Sequence, residues 1–186
     1  MDMKLLVASD IHGSAYYCRK LIERCEEEKP DKVVLLGDFL YHGPRNDLPE
    51  DYQPKKVIEM LNDLKDKIVA VRGNCDTDVD QMVLNFPIMA DYGLLQLNNL
   101  TVYITHGHRY TPEKPLPFAE GAIMLCGHTH VPTVRHLEKF IYMNCGSVSI
   151  PKDGTPHSYM TIENGVFLWK DVVSGEVFKQ YLYLTD

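Results

Sequence analysis

Lys4-Leu5-Leu6-Val7-Ala8-Ser9-Asp10-Ile11-His12-Gly13 is strand-forming chain that stops abruptly at a carboxylate and an imidazole. A short run apolar at successive rather than alternate positions predicts a strand buried on both faces. The same succession recurs along the chain. Lys32-Val33-Val34-Leu35-Leu36 leads to Gly37-Asp38, and Ile68-Val69-Ala70-Val71 leads to Arg72-Gly73-Asn74-Cys75-Asp76. Thr101-Val102-Tyr103-Ile104 leads to Thr105-His106-Gly107-His108, and Ala122-Ile123-Met124-Leu125-Cys126 leads to Gly127-His128-Thr129-His130. Ligands in open α/β sheets collect beyond the carboxyl ends of strands, so the pattern predicts carboxylates, imidazoles and an amide along one sheet edge. So many acceptor groups would repel or stay unpaired without cations. The expectation is a dinuclear metal site.

Residues two apart in a strand face the same way. Asp10 and His12 therefore converge on one ion if the extended conformation persists past the strand, and His128 and His130 repeat the arrangement with Thr129 pointing away. Gly13, Gly37, Gly73, Gly107 and Gly127 flank these ligand types, as expected where backbone turns sharply or approaches a bound group.

The sequence between these segments sets the architecture. Ser14 caps a predicted helix whose apolar positions Tyr17, Cys18, Leu21, Ile22 and Cys25 recur at helical spacing. Asp38 to Gln53 reads as a long loop over the ligand edge, and loops above about 12 residues are usually functional. A second helix is predicted near Pro54 to Leu64. From Leu94 onward, turn signals at Asn98-Asn99, Asn164-Gly165 and Ser174-Gly175 predict hairpins, with strands at Phe140 to Met143, Tyr159 to Ile162, Val166 to Val172 and Val177 to Leu184. A parallel half followed by an antiparallel half predicts an α/β fold of two face-to-face sheets with helices outside, in one domain spanning 1–186.

Composition narrows the function. With 19 Lys and Arg against 26 Asp and Glu, the net charge of -7 and the lack of a basic run argue against a dedicated nucleic-acid surface. A small phosphorylated substrate fits better, because bound divalent ions reverse the local field. No run approaches the roughly 20 apolar residues of a membrane span, and the amino terminus lacks signal-peptide flanks, so a cytoplasmic location is expected. Five cysteines without C-x-x-C spacing argue against a disulfide framework. Cys18 and Cys25 read as core residues.

Asp10-Ile11-His12-Gly13, Gly37-Asp38, Gly73-Asn74-Cys75-Asp76, Thr105-His106-Gly107-His108 and Gly127-His128-Thr129-His130 together resemble the five signatures of the calcineurin-like metallophosphoesterase family. His42-Gly43-Pro44-Arg45-Asn46 and Asn144-Cys145-Gly146-Ser147-Val148-Ser149-Ile150-Pro151 are similar to a bacterial phosphodiesterase branch of it. The resemblance covers nearly the whole chain and implies a four-layer αββα sandwich of two mixed β-sheets flanked by helices. It implies that Asp10, His12 and His130 hold one divalent metal, that Asn74, His106 and His128 hold another, and that Asp38 bridges both. Manganese is the first choice by resemblance, with iron, zinc and nickel as alternatives. The implied activity is hydrolysis of small phosphodiesters by in-line attack of a hydroxide bridging the two ions, with Asp38, Asn74 and His106 at the reaction centre.

Many family members carry a histidine at position 75 that serves the leaving group, and here it is Cys75. General acid catalysis is worth about 10² to 10⁴-fold, so activated diesters should be preferred. Cys75 then neighbours the substrate, and as a neutral thiol, with a reference pKa of about 8.5, it could still act catalytically by donating a proton to the leaving group. Arg45 and Asn46, in the long loop, are read as phosphate contacts, with His42 beside them and His108 supporting the centre from behind. His136 and His157 fall outside the cluster. The resemblance also implies self-association as a homodimer or homotetramer through the carboxyl-terminal strands. The alternatives are a phosphomonoesterase or nuclease of the same fold, or a non-catalytic binding scaffold such as the retromer subunit that resembles it. A scaffold has no chemical reason to keep all seven ligand types.

Overall fold

The computed structural model describes residues 3–117 and 119–183, and each apolar run that leads to a ligand motif is a strand. The first half alternates strand and helix: β1 (Leu5–Ala8), α1 (Ala15–Glu28), β2 (Lys32–Leu35), α2 (Pro54–Asp63), β3 (Ile68–Ala70) and the short α3 (Asp78–Val83). Strands follow as β4 (Tyr92–Leu97), β5 (Leu100–Thr105), β6 (Ala122–Cys126), β7 (Thr133–His136), β8 (Phe140–Asn144), β9 (Ser158–Glu163), β10 (Val166–Asp171) and β11 (Val177–Leu182). The strand expected to reach Leu184 ends at Leu182, and Leu184 lies outside the described residues.

Two mixed sheets result, with orders β11-β10-β9-β1-β2-β3 and β4-β5-β6-β8-β7. The halves of the chain do not segregate between them, contrary to the parallel-then-antiparallel expectation. The hairpins β9–β10 and β10–β11 return to the first sheet, where β9 pairs antiparallel with β1. The second sheet is parallel along β5, β6 and β8 and antiparallel only at its edges. Turn residues reveal a hairpin but not the sheet it joins, which is why the sequence pattern missed this.

Burial follows the strand period. Leu5 and Val7 face the second sheet, in a core with Val34, Leu36, Val102, Ile104, Ile123, Leu125 and Phe167. Leu6 and Ala8 face the helices, with Cys18, Leu21, Cys25, Val57 and Leu61. β1 is thus wholly buried, and each such aliphatic side chain contributes roughly 1.5–3 kcal/mol relative to exposure. Trp169 is also fully buried between the sheets, and its Nε1 donates to the Asn144 carbonyl at 2.7 Å, fastening β10 to β8. On the outer face of the second sheet, Met124, Cys126, Phe140 and Tyr142 are covered by Tyr110 and Leu137. Coil rather than helix forms that layer of the sandwich.

Helix ends are chemically specified. The Ser14 hydroxyl accepts the Tyr17 amide at 3.2 Å to start α1, as expected, and Pro54 opens α2. α3 was not expected from the sequence, although Thr77 and Asp80 form a reciprocal capping box there. Cys18 and Cys25 are core residues whose thiols burial pushes up to about 12.

α1 ends on three glutamates, which its dipole disfavours, and Glu28 is stabilised by other means. It accepts from Lys4 Nζ at 2.8 Å, from Lys170 Nζ and from the Tyr159 hydroxyl at 3.1 Å. Burial alone would raise its carboxyl, but Lys170 and Lys4 outweigh burial and hold it down at about 2. A depressed acid contributes stability above its unfolded pKa and loses it as pH falls through the folded one. Glu28→Gln should therefore cost about 1 kcal/mol near neutrality, after allowance for solvent screening. That corresponds to a Tm lower by roughly 2–4 °C. The difference should shrink between about pH 4.5 and 2, and melting curves at stepped pH will show it; a gap independent of pH would refute the ion-pair account.

Candidate metal centre

The carboxyl ends of β1, β2 and β3 in one sheet and of β5 and β6 in the other open onto the same place. The ligand residues therefore come from two sheet edges rather than the single edge anticipated. Nor does extended chain aim them. β1 stops at Ala8, and Asp10 (φ 60°), His12 (φ 50°), Asp38 (φ 57°), His128 (φ 67°) and His130 (φ 64°) all lie in the left-handed region. That conformation costs a residue with a Cβ roughly 1–2 kcal/mol, and five occurrences in one cluster mark a functional site.

The surrounding chain sustains this backbone. The hydroxyls of Ser147 and Ser149 each donate to the Asp10 carbonyl at 3.0 Å, while the Asp10 amide donates to Gly37 O at 3.1 Å and the His12 amide to Asp38 O at 2.9 Å. Buried Asp76 holds the next turn. Its carboxylate accepts the amides of Asp38 (2.8 Å), Phe39 (2.9 Å) and Gly73 (2.7 Å). Burial and then the charge of Asp38 push Asp76 up to about 6 against those amides. A Cβ at Gly73 would overlap Asp38, and one at Gly127 would overlap Ser9 and Asp10, so both glycines are needed for close approach.

The atoms that converge are electron-pair donors. His12 Nδ1 lies 2.7 Å from Tyr41 O, and His130 Nδ1 bonds Ile150 O. A carbonyl only accepts, so both protons sit on Nδ1, and in the neutral rings both Nε2 atoms are bare. These two bare nitrogens face one another at 3.4 Å. Asp10 Oδ1 lies 3.4 Å from His12 Nε2 and 3.1 Å from His130 Nε2, buried and with no hydrogen-bond partner. Three lone pairs around one gap repel unless a cation occupies it.

His106 builds the adjoining group. Its Nδ1 donates to Leu36 O at 2.7 Å, leaving Nε2 3.0 Å from Asn74 Oδ1 and 3.2 Å from His128 Nδ1. Asp38 lies between the groups. Its Oδ1 accepts the Cys75 amide at 2.8 Å, and its Oδ2 stands 3.4 Å from His106 Nε2 and 3.8 Å from His12 Nε2. Ligand atoms of Asp10, His12 and His130, of Asp10, Asp38 and His106, and of His12, Asp38 and Cys75 lie within 4.8 Å of one another. His128 joins none of these triplets, and it meets the centre through its ring, against His106, and through its amide, which donates to Asp10 Oδ2 at 3.0 Å.

Electrostatics agree with a place for cations. Burial works to lower His106, yet Asp38 and Asp10 outweigh it and lift the imidazolium to about 9. His12 is likewise lowered by burial and raised more by Asp10. Protons can thus stand in for metal, and metal binding must displace them. His128 is lowered by burial and by His106. His108 is pushed down to about 4 by burial and by His106 and His128, which makes it a neutral neighbour behind the centre.

A cleft of about 440 Å³ opens from these groups, lined by His12, Asp38, Asn74, Cys75, His128 and His130, with Gly43, Pro44, Arg45 and Asn46 of the long loop. Thr129, expected to point away, also lines it because His128 and His130 are in the left-handed region rather than extended, and so does Lys152, which was not singled out in the sequence. Cys75 receives the Asn74 amide nitrogen at 3.2 Å, and burial, followed by the charge of Asp38, raises its thiol, which stays protonated at neutral pH. His42 is not in the lining and packs edge-on against Tyr41 and Tyr52. His157 stacks on Tyr17 and His136 packs near Tyr181, outside the cluster as expected.

Two mixed sheets whose strand ends bring histidines, carboxylates and an amide together are the arrangement of a phosphoesterase, and the family comparison agrees. The chain belongs to the calcineurin-like phosphoesterase superfamily, whose domain model matches residues 3–165. It is 45% identical over 164 residues to the phosphodiesterase YfcE of Escherichia coli K12, covering 88% of this chain and 89% of that protein. The phosphodiesterase MJ0936 of Methanocaldococcus jannaschii is 24% identical over 151 residues, 77% of this chain and 83% of its own. The solved structure of E. coli YfcE superposes with a TM-score of 0.92 over 96% of this chain and 98% of that one, at 42% identity. Vacuolar protein sorting 29 of Cryptosporidium parvum shares the fold, with a TM-score of 0.61 at 15% identity over 98% of this chain and 99% of its own. Membership implies a hydrolase using divalent metal ions, and the donor set fits them: imidazole nitrogens and carboxylate and amide oxygens suit first-row divalent metals. No described helix is long and apolar enough to cross a membrane.

Proposed function

We propose that this protein is a phosphodiesterase of small diesters that works with two divalent metal ions, manganese first among them. The observation that carries the reading is the mutual confrontation of His12 Nε2, His130 Nε2 and Asp10 Oδ1 around one buried gap, with Asp38 Oδ2 reaching towards both this group and His106. The identity to a protein named as a phosphodiesterase supports the diester preference. Bound here, such ions would supply Lewis-acid stabilisation of the negative charge that develops at a phosphodiester under hydrolysis.

The chain's own groups do the rest. Asp10, His12 and His130 would hold one ion, Asn74, His106 and His128 the other, and Asp38 both. The carbonyls of Tyr41, Leu36 and Ile150 fix the ring tautomers, so the donors are oriented before binding. Asn46 would meet oxygens of the reacting phosphate from the loop, and Arg45 would reach substrate oxygens farther out in the cleft. Cys75, neutral and short, would sit beside the substrate without the proton-donating strength of a histidine, which favours activated leaving groups. Self-association we assign to the free edge at β11, where Val177, Phe178 and Leu182 are exposed.

A matrix of metals against model substrates tests the reading. Chelated protein reconstituted with manganese should hydrolyse bis(p-nitrophenyl) phosphate well above p-nitrophenyl phosphate, with iron, nickel or zinc less effective. Faster monoester hydrolysis would replace the reading with a phosphomonoesterase, and inactivity with every metal would leave a scaffold.

A further inference from the structure

Charge in the cleft is unevenly placed. Apart from Asp38, the charged non-histidine residues lining it are Arg45, from the loop after β2, and Lys152, from the segment after β8. The chain as a whole carries -7. Neither cation has an ion-pair or hydrogen-bond partner for its side chain among the described residues. The other arginines all do: Arg19 with Asp51, Arg24 with Glu27, Arg109 with Asp91, Arg135 with Glu113, and Arg72 with the Asp76 carbonyl.

Two unneutralised cations from separate segments thus border a cleft whose floor is built to take cations of its own. Both side chains are exposed and able to turn towards a bound anion, and a simple phosphodiester brings only one negative charge, directed at the floor. The cleft, at about 440 Å³, falls within the range of whole small-molecule sites and has room beyond a phosphodiester group. An arginine fork and a lysine ammonium together suit phosphate oxygens.

We propose that Arg45 and Lys152 form a second anion subsite and that the preferred substrate is a phosphodiester carrying a further phosphate monoester on its organic part. The inference rests on the phosphodiesterase reading for the reaction, but not for the binding.

The p-nitrophenyl ester of thymidine 5′-phosphate, with and without a 3′-phosphate, isolates the added charge because the leaving group is shared. With the manganese-loaded protein, kcat/KM should favour the 3′-phosphorylated substrate by at least about tenfold, as a charge-assisted contact allows. The advantage should fall steeply with salt. Lys152→Met should reduce that ratio below about threefold, and Arg45→Met with Lys152→Met should abolish it. Calorimetry on chelated protein supplies a reading without turnover: thymidine 3′,5′-bisphosphate should bind more tightly than thymidine 5′-phosphate, less so with Lys152→Met, and equally with Arg45→Met and Lys152→Met together. A ratio near one in the unaltered protein, or an advantage that survives the double substitution, overturns the subsite. Inactivity on both substrates would count against the phosphodiesterase reading, and calorimetry would still decide the subsite.

Discussion

Asp38→Asn is expected to abolish tight binding of at least one of the two metal ions and to lower kcat/KM on an activated diester by about 10²-fold or more, the scale for removing one preorganised charge at a reacting centre. The substitution is conservative for the fold. Asn tolerates the left-handed backbone that position 38 adopts, and its oxygen can still accept the Cys75 amide. What it loses is the anionic oxygen between His106 and His12. In metal-free protein it relieves Asp76 of a charge that raises it, but it also removes the carboxylate that lifts His106 and that the fold holds below its ordinary range, so the apo variant should melt somewhat lower than the unaltered chain. Manganese at 100 times its dissociation constant should stabilise the unaltered protein by about 2.7 kcal/mol, a Tm rise of roughly 5–11 °C, and the variant by clearly less. Metal content by elemental analysis, turnover and melting in chelator and in manganese decide the matter together. A variant that keeps full metal and full turnover removes Asp38 from the centre.

The donor set was legible because each donor follows a run whose period marks it as a buried strand. Their convergence was legible because such strands share a direction. The local geometry was not. Asp10 and His12 meet through two left-handed residues rather than through extended chain, and a side-chain pattern of period two reports only on residues that stay in the sheet. The carbonyls of Tyr41, Leu36 and Ile150 that orient the imidazoles were also invisible, since a backbone acceptor has no sequence signature. Lys152 was missed for a related reason: no nearby ligand type marks the segment after β8 as a wall of the cleft. Ser147 and Ser149 stood in a quoted motif without a role. Their alternate spacing, with both hydroxyls on one carbonyl, is the signal that could have supplied it. Gly73 and Gly127 were read as places of close approach, and their partners are Asp38 and Asp10, two residues of the proposed donor set.

Asp76 illustrates how one residue outside the donor cluster can govern its geometry. Its carboxylate collects three amides, including those of Asp38 and Gly73, and so holds the turn after β2 against the turn after β3. Asp76→Ala would orphan three donors in a site that is nearly sealed, since Asp76 is 1% exposed. Each such loss costs about 1–3 kcal/mol before water relieves it, so a total of about 3–5 kcal/mol and a Tm lower by roughly 6–20 °C are expected. A destabilised protein alone would prove little about positioning. Asp76→Asn separates the two roles, because it keeps the volume and one acceptor oxygen but turns an amide against at least one of the donors. It should remain folded at room temperature while binding manganese about 10 to 100 times more weakly, the scale for substitutions that support metal ligands from behind. Manganese titration followed by electron paramagnetic resonance measures this without turnover. Manganese affinity unchanged in a folded Asp76→Asn protein would mean that Asp38 holds its left-handed turn unaided, and that the carboxylate at 76 serves stability alone.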